Sequence, residues 1–401
     1  MVKVYSKALN QTIEIERIIG KIKGDPGGPT IIFVGGIHGN EPSGVFALQH
    51  VLETLQKKEV PVKGNIYALG GNLPALEKNE RFQKQDLNRI WIDEKIQHLV
   101  NGASKGIQGE TAEQAEICEI ITDIIHIETG PFYFIDLHTT SSETIPFLTV
   151  NDNLLNRKFT SQYPVPVILG IEEYLEGPLL SYINELGYVA FGFEAGQHDA
   201  LQAYENHVAF IYLSLVFSGV VDREYTHFDD CYKNLLQASG GIKGVYEIFY
   251  RYGIQKGEQF KMKPGFVNFQ PVVKGTPVAK SDEKEVIAPE NGRMFMPLYQ
   301  NQGDDGFFTI RSIAPLILKL SAFLRKAGVD RILPFLPGVR WDSDKKDTLL
   351  VNRKIARFFA KQFFHLLGYR NKKLNDTYIL MKNREAASRE EEYPVAAWDH
   401  S

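Results

Sequence analysis

The sequence predicts an α/β protein: a mixed, mostly parallel sheet flanked by helices, followed by a β-rich C-terminal domain and terminal helices. Three observations predict it. Over residues 1–220, short apolar, β-branched runs alternate with longer segments of helical period, as in strands joined by helical crossovers. After about residue 240, glycine and proline separate short β-like runs with no helical period between them, the texture of an all-β module. From Ser312 onward the helical period returns.

The expected strands are TIIFVGG (30–36), GNIYALGG (64–71), FYFIDLH (132–138), PFLTV (146–150), PVPVILG (164–170) and YVAFGFEAG (188–196). Helices are expected from Pro42 to Lys57, Thr111 to Glu128, Pro178 to Leu186 and Ala200 to Leu215. Pro42 suits a first helical turn, and Thr111 with Gln114 makes a capping-box pattern. GGIKGVYEIFYRYG, GFVNFQPVVKGTPVAK and EVIAPENGRMFMPLY carry the β-like runs, while SIAPLILKLSAFLRKAG and DTLLVNRKIARFFAKQFFHLLG read as helices. The division that follows is a catalytic domain over 1–239, a β-rich domain over 240–315, a helical extension over 316–383 and a loose, charged tail over 384–401.

A chain of 401 residues exceeds one ordinary domain, and its 43% hydrophobic content can fill a core. Its net charge of -4 gives no field that would recruit nucleic acid or an anionic membrane. The N-terminus lacks the apolar core and cleavage site of a secretory signal. The apolar stretch 209–221 is shorter than the roughly 20 residues a bilayer crossing needs, so it reads as a buried helix. Cys118 and Cys231 form no C-x-x-C pair, which suits a reducing compartment and places the protein in the cytoplasm. Nothing in the sequence fixes an oligomeric state.

Four segments carry chemistry. IIFVGGIHGNE runs an apolar strand into a glycine-rich turn bearing His38 and Glu41, and ligands of open α/β sheets bind beyond the carboxyl ends of strands. Alone, H-x-x-E is a weak signal. FYFIDLHTTSS delivers His138 at the exit of another strand. A His, Glu, His set leaves the fourth tetrahedral position to water, the arrangement of a catalytic zinc. Asp136 shares a strand face with His138 and suits an outer carboxylate. YVAFGFEAGQH delivers Glu194, a candidate to take a water's proton and return it to a leaving nitrogen; the bland reading is a charge at the start of the next helix. NLPALEKNERFQKQDLNRIW gathers Arg81, Asp86, Asn88 and Arg89. The guanidinium groups suit carboxylate capture, and the bland alternative is surface pairing with Glu77, Asp86 or Asp93. His198, four residues after Glu194, is close enough in sequence to reach the same pocket, whereas His50, His98, His126, His207 and His365 read as structural or solvated. No G-x-S-x-G elbow and no G-K-[ST] phosphate loop is present.

Together GIHGNE, RFQKQDLNR, DLHTT and FEAG, in that order, resemble the succinylglutamate desuccinylase/aspartoacylase branch of the zinc carboxypeptidase-like superfamily, over roughly residues 28–310. The resemblance implies one zinc ion held by His38, Glu41 and His138, with Glu194 as general base. It implies that Arg81 polarises the scissile carbonyl, that Asn88 and Arg89 grip an α-carboxylate, and that the β-rich segment narrows access to the site. The implied activity is deacylation of a small anionic N-acyl amino acid, of acetyl or succinyl type. Two positions depart from the pattern. Relatives specific for N-acetylaspartate carry an arginine about ten residues before the catalytic glutamate, where this chain has Asn184. Their substrate-contacting tyrosine has no clear counterpart in QNQGDDGFF, although Tyr299 is close. Rival readings are a metallocarboxypeptidase with a more open entrance and a non-catalytic scaffold retaining the fold.

Overall fold

The computed structural model describes residues 1–92, 96, 108–342, 345–352, 354–355, 361–373 and 377–393. A hairpin of β1 (Val2–Ser6) and β2 (Gln11–Ile15) opens the chain. β3 (Ile18–Lys23), β4 (Thr30–Gly35), α1 (Ser43–Lys57), β5 (Asn65–Gly70), α2 (Leu73–Lys78) and α3 (Glu110–Ile127) follow. Next come β6 (Phe132–Thr140), β7 (Phe147–Val150), α4 (Leu154–Thr160), β8 (Val167–Leu169), α5 (Leu179–Glu185), β9 (Val189–Gln197), α6 (Leu201–Phe217) and α7 (Phe228–Ala238).

β1 and β2 stay a separate two-stranded sheet, whereas β3 to β9 belong to one eleven-stranded mixed sheet, whose middle runs β7-β9-β6-β4-β5. β5, β4, β6 and β9 are parallel neighbours, so their carboxyl ends lie along one edge. β4 is buried at every position, as a parallel strand covered on both faces must be. Its side chains divide by period two. Ile31 and Phe33 pack with Leu48 and Val51 of α1 and Phe210 of α6, while Ile32 and Val34 pack with Ile117 and Ile121 of α3. This two-sided apolar pattern is what the sequence displayed as uninterrupted hydrophobic runs.

The β-like runs after residue 240 form β10 (Val245–Gly253), β11 (Phe260–Met262), β12 (Pro271–Val272), β13 (Pro277–Ser281), β14 (Lys284–Ile287), β15 (Gly292–Phe295) and β16 (Asp305–Ser312). β10 pairs in parallel with β8, and β16, β15 and β12 continue the same sheet outward. β11, β13 and β14 make a separate three-stranded sheet. The β-rich segment therefore extends the central sheet and covers one end of its carboxyl edge.

Three expectations are corrected. The capping box at Thr111 does not form: α3 starts at Glu110 behind Gly109. Thr111 instead accepts a hydrogen bond from Gln85 Nε2 (2.8 Å), and Gln114 donates to the Ile90 carbonyl (2.9 Å). Secondly, the segment 316–383 is not wholly helical. After α8 (Pro315–Lys326) it folds as β17 (Val339–Trp341), β18 (Thr348–Asn352), α9 (Lys361–Leu366), β19 (Tyr369–Lys373) and β20 (Tyr378–Asn383), the strands forming an antiparallel sheet in the order β17-β18-β20-β19. TLLVN is short and rich in β-branched residues, a run that periodicity alone does not separate from a buried helix. Thirdly, residues 384–393 are not a loose tail. Arg384 is buried in ion pairs with Asp152, Glu172 and Glu173, and Tyr393 is 2% exposed. Residues 394–401 lie outside the described residues.

Candidate functional site

The site is assembled where β4, β6 and β9 end. Leaving β4, Gly36 takes a left-handed φ of +74°, a conformation that costs glycine little. Gly39 passes so close to α2 that a Cβ there would lie 2.1 Å from the Ala75 carbonyl carbon. The turn closes with Glu41 N donating to the His38 carbonyl (3.1 Å), which folds the Glu41 carboxylate back towards the His38 ring. β6 carries His138 alongside, since Gly35 of β4 and Leu137 of β6 are register partners.

His38, Glu41 and His138 are all buried, and one ligand atom from each lies within 4.8 Å of the others. His38 Nδ1 is 2.9 Å from Glu41 Oε1, and His138 Nδ1 is 3.1 Å from Glu41 Oε2. Tetrahedral zinc with bonds of about 2.0–2.1 Å separates its ligand atoms by roughly 3.3–3.4 Å, so this donor set fits such an ion. Behind each imidazole stands a carboxylate: His38 Nε2 is 3.2 Å from Asp86 Oδ1, and His138 Nε2 is 2.7 Å from Asp136 Oδ2. An Nε2–H held by a carboxylate leaves Nδ1 as the lone-pair atom, the orienting arrangement of metal-binding histidines. Glu41 is steadied further by Thr139 N, which donates to Oε2 (2.9 Å).

The electrostatics follow from this crowding. Burial alone would raise the Glu41 carboxyl, but the charges and hydrogen bonds of His38 and His138 hold it well below its ordinary value. Burial opposes charge on His138, yet Asp136 and Glu41 raise its pKa well above normal. Asp86 is also kept ionised against burial, by His38, Arg81 and Arg89.

Glu194 is the register partner of His138 on the adjacent strand. It is 5% exposed, and its Oε2 has no hydrogen-bond partner. Burial pushes its pKa up to about 8; Glu41 and Asp136 add to the rise, and His138 and Arg81 oppose it. Arg81 grips Asp86 Oδ2 through Nε (3.2 Å) and Nη2 (2.9 Å), with Nη1 3.7 Å from Glu41 Oε1. It is therefore part of the site rather than a surface pair.

Apart from Asp136, which lies behind His138, these side chains line one cavity of about 150 Å³, together with Asn88, Arg89 and His198. Asn88 Oδ1 accepts from Leu179 N (2.9 Å) and so ties the site to α5. Arg89 Nη2 lies 3.4 Å from Asp305 Oδ2, and Asp305 also pairs with Arg251. His198 bonds Thr139 Oγ1 through Nδ1 (2.7 Å) and lies 3.3 Å from Gln300 Oε1 through Nε2. Asn184 is not in this cavity; its amide donates to the carbonyls of Tyr188 (3.0 Å) and Ala190 (3.3 Å). Tyr299 is also turned away, its hydroxyl donating to the Lys263 carbonyl (2.8 Å).

Sequence reasoning missed Asp86 as the partner of His38 and missed Asp305 and Gln300 altogether. Their separations of 48 residues or more give no local signal. His207 proves to be buried beneath the site, bonded to Ser43 Oγ (2.9 Å), with burial pushing its pKa down to about 3. His98 lies outside the described residues. Among the described residues, no helix is long and apolar enough to cross a membrane.

Residues 27–209 match the succinylglutamate desuccinylase/aspartoacylase catalytic domain. Succinylglutamate desuccinylase of Photorhabdus laumondii is 27% identical over 136 residues, 34% of this chain and 41% of that protein. A probable aspartoacylase of Acaryochloris marina is 26% identical over 171 residues, 39% of this chain and 52% of that protein. The chain thus aligns with about half or less of these relatives' length. In fold it is similar to a succinylglutamate desuccinylase/aspartoacylase structure from Rhodobacter sphaeroides, with a TM-score of 0.54 at 16% identity, covering 78% of this chain and 94% of that one. The matched segment carries His38, Glu41, His138 and Glu194, and over it the chain is similar to the succinylglutamate desuccinylase/aspartoacylase family.

Proposed function

We propose that this protein is a zinc-dependent amidohydrolase that deacylates a small anionic N-acyl amino acid. One observation carries the reading: Glu194, buried and with Oε2 unpartnered, lies beside a convergent His38, Glu41, His138 set inside a single cavity. The family match agrees with it.

In this reading Arg89 and Asn88 hold the substrate's α-carboxylate. Arg81 faces the carbonyl oxygen and stabilises the negative charge that develops there. Zinc bound by His38, Glu41 and His138 would supply a water acidified to about pKa 7 and further polarise the carbonyl. Glu194 takes a proton from the attacking water and passes it to the amide nitrogen. The C–O bond forms, the C–N bond breaks, and a free amine and a carboxylate leave. A cavity of about 150 Å³ favours small acylated amino acids over the peptides of a carboxypeptidase, and the orphaned Glu194 oxygen is an expensive feature for a scaffold to retain.

The test is amine release from a panel of N-acetyl and N-succinyl amino acids, before and after chelation and zinc readdition. Zinc-reversible release supports the reading. A fully zinc-loaded protein inert towards the whole panel sinks it, and a preference for dipeptides and longer peptides supports a carboxypeptidase.

A further inference from the structure

The cavity continues past Glu194 along the face of β9. Alternate residues share a strand face, so Glu194, Gly192 and Ala190 form one strip. Thr149, the register partner of Gly192, and Leu180 close over Gly192, where an added Cβ would lie 2.5 Å from Thr149 Oγ1 and 3.3 Å from Leu180 Cδ1. The lining includes the apolar Ile171, Leu175, Leu180, Ala190, Leu298 and Phe308, beside uncharged threonine and serine hydroxyls and the amides of Asn151 and Gln300.

Cations in the same cavity are few and already partnered. Asp86, Asp304 and Asp305 face the guanidinium groups of Arg81 and Arg89, Glu41 belongs to the proposed metal set, and among the described residues no lysine lines the space. Both arginines already hold partners within the cavity, Arg81 on Asp86 and Arg89 on Asp305. One substrate carboxylate can share Arg89. A second or third would be desolvated against apolar walls without a free cation, and an unpaired buried charge is costly.

We propose that this site takes an N-acyl amino acid bearing a single carboxylate and an uncharged, mainly apolar limb, and that it discriminates against substrates with two or three carboxylates. The inference rests on the amidohydrolase reading and specifies its substrate class. The limb belongs either to the acyl group or to the amino-acid side chain, and the two share the chemistry that the wall recognises.

The experiment compares five compounds on the zinc-loaded protein: N-acetylmethionine, N-acetylleucine, N-hexanoylglycine, N-acetylaspartate and N-succinylglutamate. The expected result is a kcat/KM for at least one of the first three that exceeds both polycarboxylates by on the order of 100-fold. Preference for N-hexanoylglycine assigns the limb to the acyl group, and preference for the other two assigns it to the side chain. Faster turnover of N-acetylaspartate or N-succinylglutamate overturns the substrate class and leaves the hydrolase reading standing.

Calorimetric binding of the same compounds to zinc-loaded Glu194→Gln reads the pocket without turnover. Tighter binding of a polycarboxylate, or binding of none of the five, overturns the inference, whereas the absence of cleavage alone overturns only the hydrolase reading. Leu180→Arg, checked for folding by circular dichroism, is expected to shift preference towards N-acetylaspartate by about 10-fold; an unchanged preference counts against the apolar wall as the discriminator.

Discussion

His138 and Glu194 face each other as register partners on the parallel strands β6 and β9. Two chemically different groups, separated by 56 positions, are thereby delivered to one edge by backbone pairing alone. Because both strands are buried throughout this stretch, the pair is held by the sheet and not by a flexible loop. Glu194→Gln preserves volume and pairing but removes the group that accepts a proton. Turnover is expected to fall by about 10²–10⁴-fold while zinc content, measured by elemental analysis, stays at the wild-type level. A variant that loses metal in parallel with activity would assign Glu194 to the ligand set instead.

The carboxylates behind the imidazoles make a second prediction. Asp136 lies 2.7 Å from His138 Nε2, and Asp86 lies 3.2 Å from His38 Nε2. Replacing either with asparagine leaves His38, Glu41 and His138 in place but weakens the hold on ring orientation and basicity. Zinc affinity, read by competition with a chromogenic chelator, is expected to fall by about 10–100-fold. Asp86→Asn should also loosen Arg81, whose guanidinium it positions, and so cost more activity than Asp136→Asn at saturating metal.

How much of this was legible in the sequence depends on where each interaction partner lies. Strands buried on both faces announce themselves as continuous apolar runs, and His38, Glu41, His138 and Glu194 sit at or just beyond the ends of those runs, so their convergence on one edge of the sheet was legible in the sequence. Asp136 was readable from strand alternation. Asp86 was visible only as a neighbour of Arg81, because its contact with His38 depends on how the segment after α2 folds back. The stretch TLLVN reads equally as a strand or a helix until the partner strand β20 is known. Residues 384–393 look solvated because they are charged; only the fold brings Asp152, Glu172 and Glu173 to Arg384.

That charged junction predicts a response to acid. Asp152 is buried among Arg157, Arg325 and Arg384. Burial would raise its carboxyl, but the three guanidinium groups hold it well below its ordinary value. A carboxyl lowered on folding contributes stability above its unfolded pKa, and that contribution is lost as pH falls through the folded value. Glu385 faces the same cluster through Arg325 and is shifted upward, chiefly by burial, so it acts with the opposite sign; the larger shift at Asp152 decides the direction. Hydrogen exchange in α8 and in 384–393 is expected to accelerate below about pH 4, ahead of exchange in β4 and β6. Simultaneous opening of all four segments would refute a separately docked junction.

The last described residue of the chain closes the bottom of the sheet. Tyr393 donates its hydroxyl to the Phe132 carbonyl at the start of β6 and accepts from Val189 N at the start of β9 (3.0 Å). The ring packs edge-on against Tyr133 at 5.5 Å. One hydroxyl therefore satisfies a buried acceptor and a buried donor on the two strands that present His138 and Glu194 at their other ends. Tyr393→Phe keeps the ring and leaves both backbone groups without this partner, at a cost of about 1–3 kcal/mol. The urea midpoint should fall accordingly, and β6 and β9 should exchange amide hydrogens faster near Phe132 and Val189. Activity at low temperature should be nearly unchanged, because the strands' carboxyl ends are pinned independently by the contacts of Glu41, Asp86 and Asp136. A large loss of kcat without a loss of stability would show that the hydroxyl acts on the site rather than on the fold.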